Sequence, residues 1–127
     1  MGHHSQTGAG VLLVVDDDEV IRELIVETLR KCGYTVLEAR DGREALDVAG
    51  GHDSAIDLLV TDVAMPRLGG PELARELAAQ RPGIRVLFVS GRARAGLPPQ
   101  ANFLEKPFTP TTLATAVRKA LDAPAWA

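Results

Sequence analysis

The chain has little or none of several features that mark particular classes of protein. Its 127 residues include a single cysteine, Cys32, so an internal disulfide cannot form, and we expect a cytoplasmic location. No apolar run approaches the ~20 residues that a membrane-spanning helix needs, and the N-terminus lacks the apolar segment of a signal peptide. The net charge of −3 gives no sign of direct binding to nucleic acid or to an anionic membrane.

Length and terminal composition together predict one domain. A chain of 127 residues suits a single hydrophobic core. The first ten residues are small, polar and rich in glycine, so we expect residues 1–10 to form a disordered lead-in. The domain is then predicted at residues 11–123, followed by a short tail at 124–127.

Short apolar runs alternate with amphipathic stretches along this domain. Continuous apolar runs are typical of strands that are buried on both faces of a parallel sheet. The alternation predicts an α/β fold with a doubly wound parallel sheet and right-handed crossovers. The predicted strands are Val11–Val15, Tyr34–Ala39, Ile56–Thr61, Val86–Val89 and Phe103–Glu105.

Helix starts follow most of the predicted strands. Asp17 or Asp18 can cap the first helix, and Thr109 followed by Pro110 can open the last one. Apolar residues recur every three to four positions in the first helix and predict a stripe that faces the core. That stripe consists of Val20, Ile21, Leu24, Ile25, Thr28, Leu29 and Cys32.

One connection departs from the alternation of strand and helix. The stretch between Ser90 and Phe103 contains Pro98, Pro99 and two glycines, which leave room for about one helical turn. We therefore predict that the fourth crossover helix is shortened or absent.

Polar side chains stand where the apolar runs end. They are Asp16 and Asp17 after the first strand, Asp62 after the third, Ser90 at the fourth and Lys106 after the fifth. Ligands of open α/β sheets bind at the edge where the carboxyl ends of the parallel strands lie, so we expect these groups to meet there. Two carboxylates ~4 Å apart repel by ~4 kcal/mol at an effective dielectric of ~20, so such a site must take up a proton or a cation.

The chemistry of these groups suits a phosphoryl ligand. Hard carboxylate oxygens with room for water favour Mg²⁺, and a metal together with an ammonium stabilises the charge of a phosphoryl group. Each residue alone has a plainer interpretation, since Asp18 can simply cap a helix and Lys106 can be a solvated surface lysine. The combination, in this order along the chain, is much more specific than its parts.

Five motifs together resemble the receiver domain of two-component response regulators, the CheY-like family. The resemblance covers about Val11 to Ala123. The sequence is most similar to the C-terminal receivers of hybrid sensor histidine kinases. The motifs are Val14-Val-Asp-Asp17, Thr61-Asp62-Val-Ala-Met-Pro66, Gly69-Gly70, Val89-Ser90-Gly91 and Lys106-Pro107-Phe108. The resemblance implies a flavodoxin-like five-stranded sheet with the strand order 2-1-3-4-5.

The resemblance also implies the chemistry of the site. Asp62 would accept a phosphoryl group from a histidine kinase or a histidine phosphotransfer domain, forming an aspartyl phosphate. Mg²⁺ (or Mn²⁺) would be bound by the side chains of Asp17 and Asp62 and by the backbone carbonyl of Ala64. Asp16 would act on the same metal through water.

The remaining motif residues would serve the phosphoryl group and the response to it. Lys106 would pair with the phosphoryl group, and Ser90 would move inward to bind one of its oxygens. Phe103 would follow Ser90 as the second part of this switch. The Lys106–Pro107 peptide bond is predicted to be cis because the family usually has a cis bond there.

Two departures from the family pattern affect the expected behaviour. The segment from 91 to 102 is shorter than the family usually has, which puts the surface that reports phosphorylation in doubt. Ala64 and Arg92 occupy the positions that tune hydrolysis of the phosphoryl group in the family. An alanine cannot orient the attacking water, so we expect slow hydrolysis, whereas Arg92 can either pair with the phosphoryl group or be solvated.

Several alternatives remain open at this level. Asp16-x-Asp18 resembles the start of haloacid-dehalogenase-like phosphatases, with Asp16 as nucleophile, although Val20 stands where those enzymes usually have threonine. A flavin-binding domain is excluded, because it would need a phosphate-binding loop after the first strand, where three aspartates would repel the phosphate. A degenerate receiver would act only as an interaction module. A true receiver could be a stand-alone response regulator, which only assists its own phosphorylation and dephosphorylation, or a part of a hybrid histidine kinase.

Overall fold

The computed structural model of the chain describes residues 10–91 and 96–126. Residues 1–9 of the predicted lead-in therefore lie outside it. The strands are β1 (Val11–Val15), β2 (Thr35–Ala39), β3 (Leu58–Asp62), β4 (Arg85–Ser90) and β5 (Asn102–Glu105). The helices are α1 (Glu19–Lys31), α2 (Gly42–Gly50), α3 (Gly70–Gln80) and α4 (Pro110–Leu121).

The five strands form one parallel sheet in the order β2-β1-β3-β4-β5, which confirms the predicted doubly wound fold. Helices α1 and α4 pack on one face of the sheet, and α2 and α3 pack on the other. Alternate residues of β1 accordingly enter two separate cores, with Leu12 and Val14 on the first face and Leu13 and Val15 on the second. Burial of each such side chain stabilises the fold by about 1.5–3 kcal/mol.

Side-chain caps fix where the helices begin. The Asp18 carboxylate accepts hydrogen bonds from the backbone N–H groups of Val20 and Ile21, so Asp18 rather than Asp17 is the cap of α1. The Thr109 hydroxyl likewise accepts the N–H of Thr112 at the start of α4. Caps of this kind typically stabilise a helix by about 1 kcal/mol.

The inward stripe predicted for α1 is wrong at two positions. Val20 is 74% exposed and Leu24 is 38% exposed, whereas Ile25 and Leu29 are buried. A helix that lies on a sheet buries only one side, and the apolar stripe of α1 is wider than that side. Cys32 is half-buried and packs against the core as a small apolar residue.

The described part of the connection between β4 and β5 contains no helix. Part of the uncovered sheet face is instead covered by the end of the chain. The Trp126 ring packs edge-on against Phe88 with 5.2 Å between ring centroids, and its backbone N–H donates to the carbonyl of Ile84 at 2.9 Å. Leu97 and Ala101 pack into the same core. Trp126, which lies in the predicted tail, thus packs against the core.

Within residues 10–91 and 96–126, none of the helices has the length and apolar character that crossing a bilayer requires.

Candidate functional site at the carboxyl edge of the sheet

The register of β1 and β3 brings their terminal acids to the same place. Val15 of β1 pairs with Thr61 of β3, so the residues that follow, Asp16 and Asp62, leave neighbouring strands side by side. Asp17 comes next and is exposed at the rim. Carboxylate oxygens of these three aspartates lie within 4.8 Å of one another, as the sequence led us to expect.

The ends of β4 and β5 complete this edge. Ser90 pairs with Glu105, and the next residue, Lys106, donates its backbone N–H to the Ser90 carbonyl at 2.8 Å. Strand β4 is also hydrogen-bonded to the residue that follows β3, because the N–H of Val63 donates to the Val89 carbonyl at 3.1 Å. Backbone hydrogen bonds therefore hold all four strand ends in fixed relation.

Asp16 is the most deeply placed acid of the site, at 1% exposure. One carboxylate oxygen accepts the backbone N–H of Asp18 at 2.9 Å, and the other accepts from the Lys106 ammonium at 3.2 Å. The Asp16 carbonyl accepts a hydrogen bond from the Arg22 guanidinium at 2.9 Å. Both side-chain oxygens of this buried acid are therefore hydrogen-bonded within the protein.

Asp62 lies beside Asp16, in surroundings that disfavour its ionised form. Its Oδ1 atom accepts the N–H of Val63 at 3.0 Å and faces the Lys106 ammonium at 3.4 Å. Burial raises the pKa of Asp62 above its ordinary value, and the nearby Asp16 carboxylate raises it further. The attraction of Lys106 opposes both effects without cancelling them. Ionised Asp62 is therefore held at a cost that an added cation would relieve.

Lys106 supplies the cation that the two acids share. Burial by itself lowers the pKa of Lys106, but the charges of Asp16 and Asp62 and their hydrogen bonds outweigh burial, so the net pKa is raised. The ammonium is therefore fully charged at neutral pH. The peptide bond between Lys106 and Pro107 is cis.

The acid cluster fits a magnesium ion. Three carboxylates within 4.8 Å supply hard oxygen ligands, and the exposure of Asp17 leaves one side open to water and to a phosphoryl oxygen. Burial is the main cause of the raised pKa of Asp62, and the negative charge of Asp16 adds to it. Ala64 is exposed two residues beyond Asp62, and its carbonyl stays a predicted metal ligand.

The predicted switch residues occupy the opposite side of the site. Ser90 is 8% exposed at the end of β4, and Phe103 is partly buried in β5. Phe103 pairs with Phe88, two positions before Ser90. Their exchange of position stays a prediction, and Arg92 lies outside the described residues.

The loop after Asp62 approaches the site closely enough to require glycine. A Cβ atom at Gly70 would overlap with the carbonyl oxygen of Asp62. The Gly70 N–H also donates to the Val63 carbonyl at 2.9 Å, so α3 begins directly against the backbone of the acid. This contact gives a physical reason for Gly70 in the Gly69-Gly70 motif.

Two arginine contacts near the site were not found from the sequence. Arg22 bonds the backbone of Asp16, and Arg67 pairs with the Asp41 cap of α2 at 3.4 Å. Arg22 stands one helical turn after the Asp18 cap, and that spacing was the available signal. No comparable pattern points to Arg67, whose position depends on the left-handed backbone at φ 70°.

Fold and site together define a class: a doubly wound α/β domain with an acid cluster and a lysine at the carboxyl edge of its sheet. Within that class, the family model for the response regulator receiver domain matches residues 12–118. The chain belongs to this family, the receivers of two-component signal transduction, as its motifs predicted.

Individual relatives agree with this assignment. The chain is 40% identical over 122 residues to "Sensor kinase CckA" of Brucella abortus. The matched region covers 91% of this chain and 13% of that protein. It is 32% identical over 118 residues to "Response regulator receiver protein CpdR" of the same organism, covering 88% of this chain and 97% of CpdR. The crystal structure of the receiver domain from hybrid histidine kinase CckA superposes with a TM-score of 0.76 at 39% identity, covering 89% of this chain and 100% of that domain.

Proposed function

We propose that the domain accepts a phosphoryl group on Asp62 from a phosphohistidine protein, with Mg²⁺ (or Mn²⁺) bound beside it. The observation that carries this proposal is the position of Asp62, whose Oδ1 lies 3.4 Å from the Lys106 ammonium within a cluster of three carboxylates. A carboxylate in that setting faces two sources of positive charge when a cation is bound. Both would stabilise a phosphoryl group that is transferred there.

The transfer exchanges one phosphorus bond for another. An Asp62 oxygen attacks the phosphorus of the phosphohistidine, the nitrogen–phosphorus bond breaks, and the imidazole nitrogen leaves with the electron pair and takes up a proton. The product is a mixed anhydride on Asp62. Lys106 would pair with the new phosphoryl oxygens, since its ammonium already contacts Asp62.

The metal would be held by Asp17, Asp62 and the Ala64 carbonyl, with Asp16 acting through water. When bound, it neutralises negative charge on the oxygens that surround the transferred phosphorus. Asp16 suits the indirect role because its two oxygens already accept from the Asp18 N–H and from Lys106. The same bonds argue against Asp16 as the nucleophile of a phosphatase.

Ser90 and Phe103 would respond to the transferred group. Ser90 is the last residue of β4, and the carbonyl of the preceding residue, Val89, accepts the N–H of Val63, which follows Asp62. The Ser90 hydroxyl could therefore reach a phosphoryl oxygen on Asp62 after a small movement. Phe103 would fill the space that Ser90 leaves.

An apolar patch beside the site suits the phosphodonor. Val20 and Leu24 are exposed on α1, four residues apart and hence on one side of the helix. Next to Leu24 opens a groove of about 340 Å³, lined by Ile21, Leu24, Lys106, Pro107 and Phe108. We propose that a helix of a histidine kinase or of a histidine phosphotransfer domain docks here, with no direct part for nucleic acid or membrane.

The proposed setting of the domain is a cytoplasmic phosphorelay. The likeness to CckA favours a domain, at about residues 11–123, that is part of a hybrid sensor histidine kinase. The likeness to CpdR over nearly its whole length favours a stand-alone response regulator as the second candidate. The full-length gene distinguishes them, because a kinase core in the same reading frame supports only the first.

Phosphorylation by a small donor tests the proposed function. We expect acetyl phosphate to label the protein in the presence of Mg²⁺ and to leave it unlabelled in the presence of a chelator. Asp62→Asn should abolish labelling, whereas Asp16→Asn should reduce it without abolishing it. Loss of labelling in Asp16→Asn with full labelling of Asp62→Asn would support the phosphatase chemistry instead.

A further inference from the structure

Arg22 connects α1 to the turn that carries Asp16 and Asp17, the acid pair at the end of β1. Its side chain is only 15% exposed and reaches back over the first turn of the helix. The Nη1 group donates to the backbone carbonyl of Asp16 at 2.9 Å, and Nε donates to the Glu38 carboxylate of β2 at 3.2 Å. A single guanidinium thus holds the end of β1 and the neighbouring strand at once.

We propose that Arg22 is a positioning residue of the metal site, which fixes the peptide between Asp16 and Asp17. This inference rests on the proposed function, since it concerns the same magnesium site. The carbonyl of Asp16 and the N–H of Asp17 belong to one planar unit. Holding the carbonyl therefore limits the directions in which the Asp17 side chain can leave the backbone.

The rest of Asp16 is already fixed by other bonds, which leaves this carbonyl as the remaining adjustable group. The Asp16 N–H donates to the Ala39 carbonyl at 3.3 Å, and its two carboxylate oxygens accept from Asp18 and Lys106. Asp17, in contrast, is exposed and depends on the backbone for its direction. Without Arg22, the acid cluster would keep its charge and lose the alignment of one ligand.

Glu38 acts as the second anchor of this arrangement. Its carboxylate is 41% exposed, so an ion pair with it adds little stability by itself. Its effect is to keep the guanidinium in the orientation that reaches the Asp16 carbonyl. Removal of Glu38 should therefore weaken the positioning in the same direction as removal of Arg22, but less.

Arg30 provides a matched control on the same helix. Its Nη2 group donates to the Val36 carbonyl of β2 at 3.0 Å and lies 4.0 Å from the other oxygen of Glu38. It therefore shares the helix, the partner strand and the partner carboxylate with Arg22. It makes no described contact with the acid pair, so its removal reports the general effect of losing an arginine bridge from α1 to β2.

The test is the Mg²⁺ affinity of the full chain, measured by isothermal titration calorimetry. Loss of a residue that orients a metal ligand typically weakens binding tenfold or more. We expect Arg22→Gln to raise the dissociation constant for Mg²⁺ about tenfold, Glu38→Gln to raise it less, and Arg30→Gln to leave it nearly unchanged. At saturating Mg²⁺, Arg22→Gln should be labelled by acetyl phosphate at nearly the wild-type rate.

Equal dissociation constants for Arg22→Gln and Arg30→Gln would overturn the inference. A lower labelling rate at saturating Mg²⁺ without a change in affinity would also overturn it, since Arg22 would then act on the chemistry instead. Arg22→Lys, which keeps the charge, gives the same comparison if the glutamine variant fails to fold, and it should bind Mg²⁺ with intermediate affinity. A wild-type protein that binds Mg²⁺ but is not labelled at Asp62 would contradict the proposed function alone.

Discussion

At the level of single residues, the site contains more carboxylates than ammonium groups. Three carboxylates lie within 4.8 Å of one another, and the Lys106 ammonium is shared between two of them. Repulsion of ~4 kcal/mol for a pair ~4 Å apart is too large to leave uncompensated in a partly buried site. Lys106 compensates part of this repulsion, and a bound cation would reduce the rest.

The raised pKa of Asp62 makes the stability of the fold depend on pH. The pKa of Asp62 is raised, by burial first and by Asp16 second, above its ordinary value of 3.8. The folded state therefore binds this proton more tightly than the unfolded state, so the associated stability is present below pH 3.8 and is lost as the pH rises through the folded pKa. Asp62→Asn should accordingly raise the free energy of unfolding at pH 7 in a chelator.

Urea unfolding at several pH values checks this prediction. The advantage of Asp62→Asn should shrink towards acid pH, where the wild-type carboxyl is also neutral. Addition of Mg²⁺ should favour the wild type over the variant, because the variant lacks one carboxylate ligand. An asparagine variant that is less stable than the wild type at pH 7 without metal would show that Lys106 already compensates the charge.

Ala64 is the residue at which we expect the lifetime of the phosphoryl group to be set. It is exposed two positions beyond Asp62 and has no group that can orient an attacking water. Ala64→Asn should shorten the half-life of the aspartyl phosphate several-fold, with little effect on stability since surface changes are usually within about 0.5 kcal/mol. The half-life is read from the decay of the labelled protein after removal of the donor.

Ala55→Asn is the matched control for that experiment. Ala55 is also exposed, but it precedes β3 and so lies at the other end of the strand. The same substitution there should leave the half-life unchanged. An unaltered half-life in Ala64→Asn would refute the assigned role of this position.

Residue-level predictions from sequence succeeded where a strand end determined the position. Asp16, Asp17, Asp62 and Lys106 meet because parallel strands share an edge, and no finer knowledge is required. The Arg22 contact could not be predicted in the same way. It depends on how far α1 leans over the preceding turn, which packing against the sheet decides.

Among the elements, α1 differs most from its predicted packing. Val20 and Leu24 were expected in the core, yet they form an exposed apolar patch next to the site. Periodicity gives the width of an apolar stripe but not how much of it a neighbouring layer covers. The excess width is the part that we assign to a docking partner.

A charge in this patch should impair docking selectively. Leu24→Asp is expected to lower the rate of phosphotransfer from a phosphorylated histidine protein about tenfold at limiting donor, as loss of an interface contact worth more than 1 kcal/mol would. Labelling by acetyl phosphate should be unaffected, because Asp62 and its metal ligands are untouched. Val20→Asp should act in the same direction.

The comparison with Ala55→Asp separates docking from the general effect of added charge. This exposed position is at the far end of β3, so the added charge should not alter transfer from the histidine protein. If Leu24→Asp lowered labelling by acetyl phosphate as strongly as it lowered transfer, the defect would lie in the site rather than in docking.

The C-terminal segment is the second element with an unexpected role. Its tryptophan packs on Phe88 where the described part of the β4–β5 connection has no helix. Because the ring is only partly buried, Trp126→Ala should lower the free energy of unfolding by about 2 kcal/mol, less than the 3–5 kcal/mol of a core aromatic. Trp126→Phe should recover part of this loss.

Urea unfolding followed by circular dichroism gives the measurement, since the alanine variant has no tryptophan to follow by fluorescence. Equal stability of Trp126→Ala and the wild type would mean that the ring does not cover the core. The sequence carried no signal for this contact. One aromatic residue among alanines and a proline has no periodicity, and the ring packs where the described part of the β4–β5 connection has no helix.

For the whole molecule, the topology is what turns scattered residues into a site. Lys106 contacts Asp16 and Asp62 across 90 and 44 positions of sequence, and parallel pairing of the strands brings them together. The parallel sheet could be predicted from alternation alone, whereas its strand order followed from the family resemblance. Side-chain packing over the shortened connection could not be predicted, because no periodic pattern remains there.

The position of the phosphoryl group shows most directly whether Asp62 is the acceptor. The protein is labelled with acetyl phosphate and Mg²⁺, the acyl phosphate is reduced with borohydride, and the modified residue is located by peptide mass spectrometry. We expect modification at Asp62 and at neither Asp16 nor Asp17. Modification at Asp16, or labelling that does not depend on the metal, would contradict this expectation.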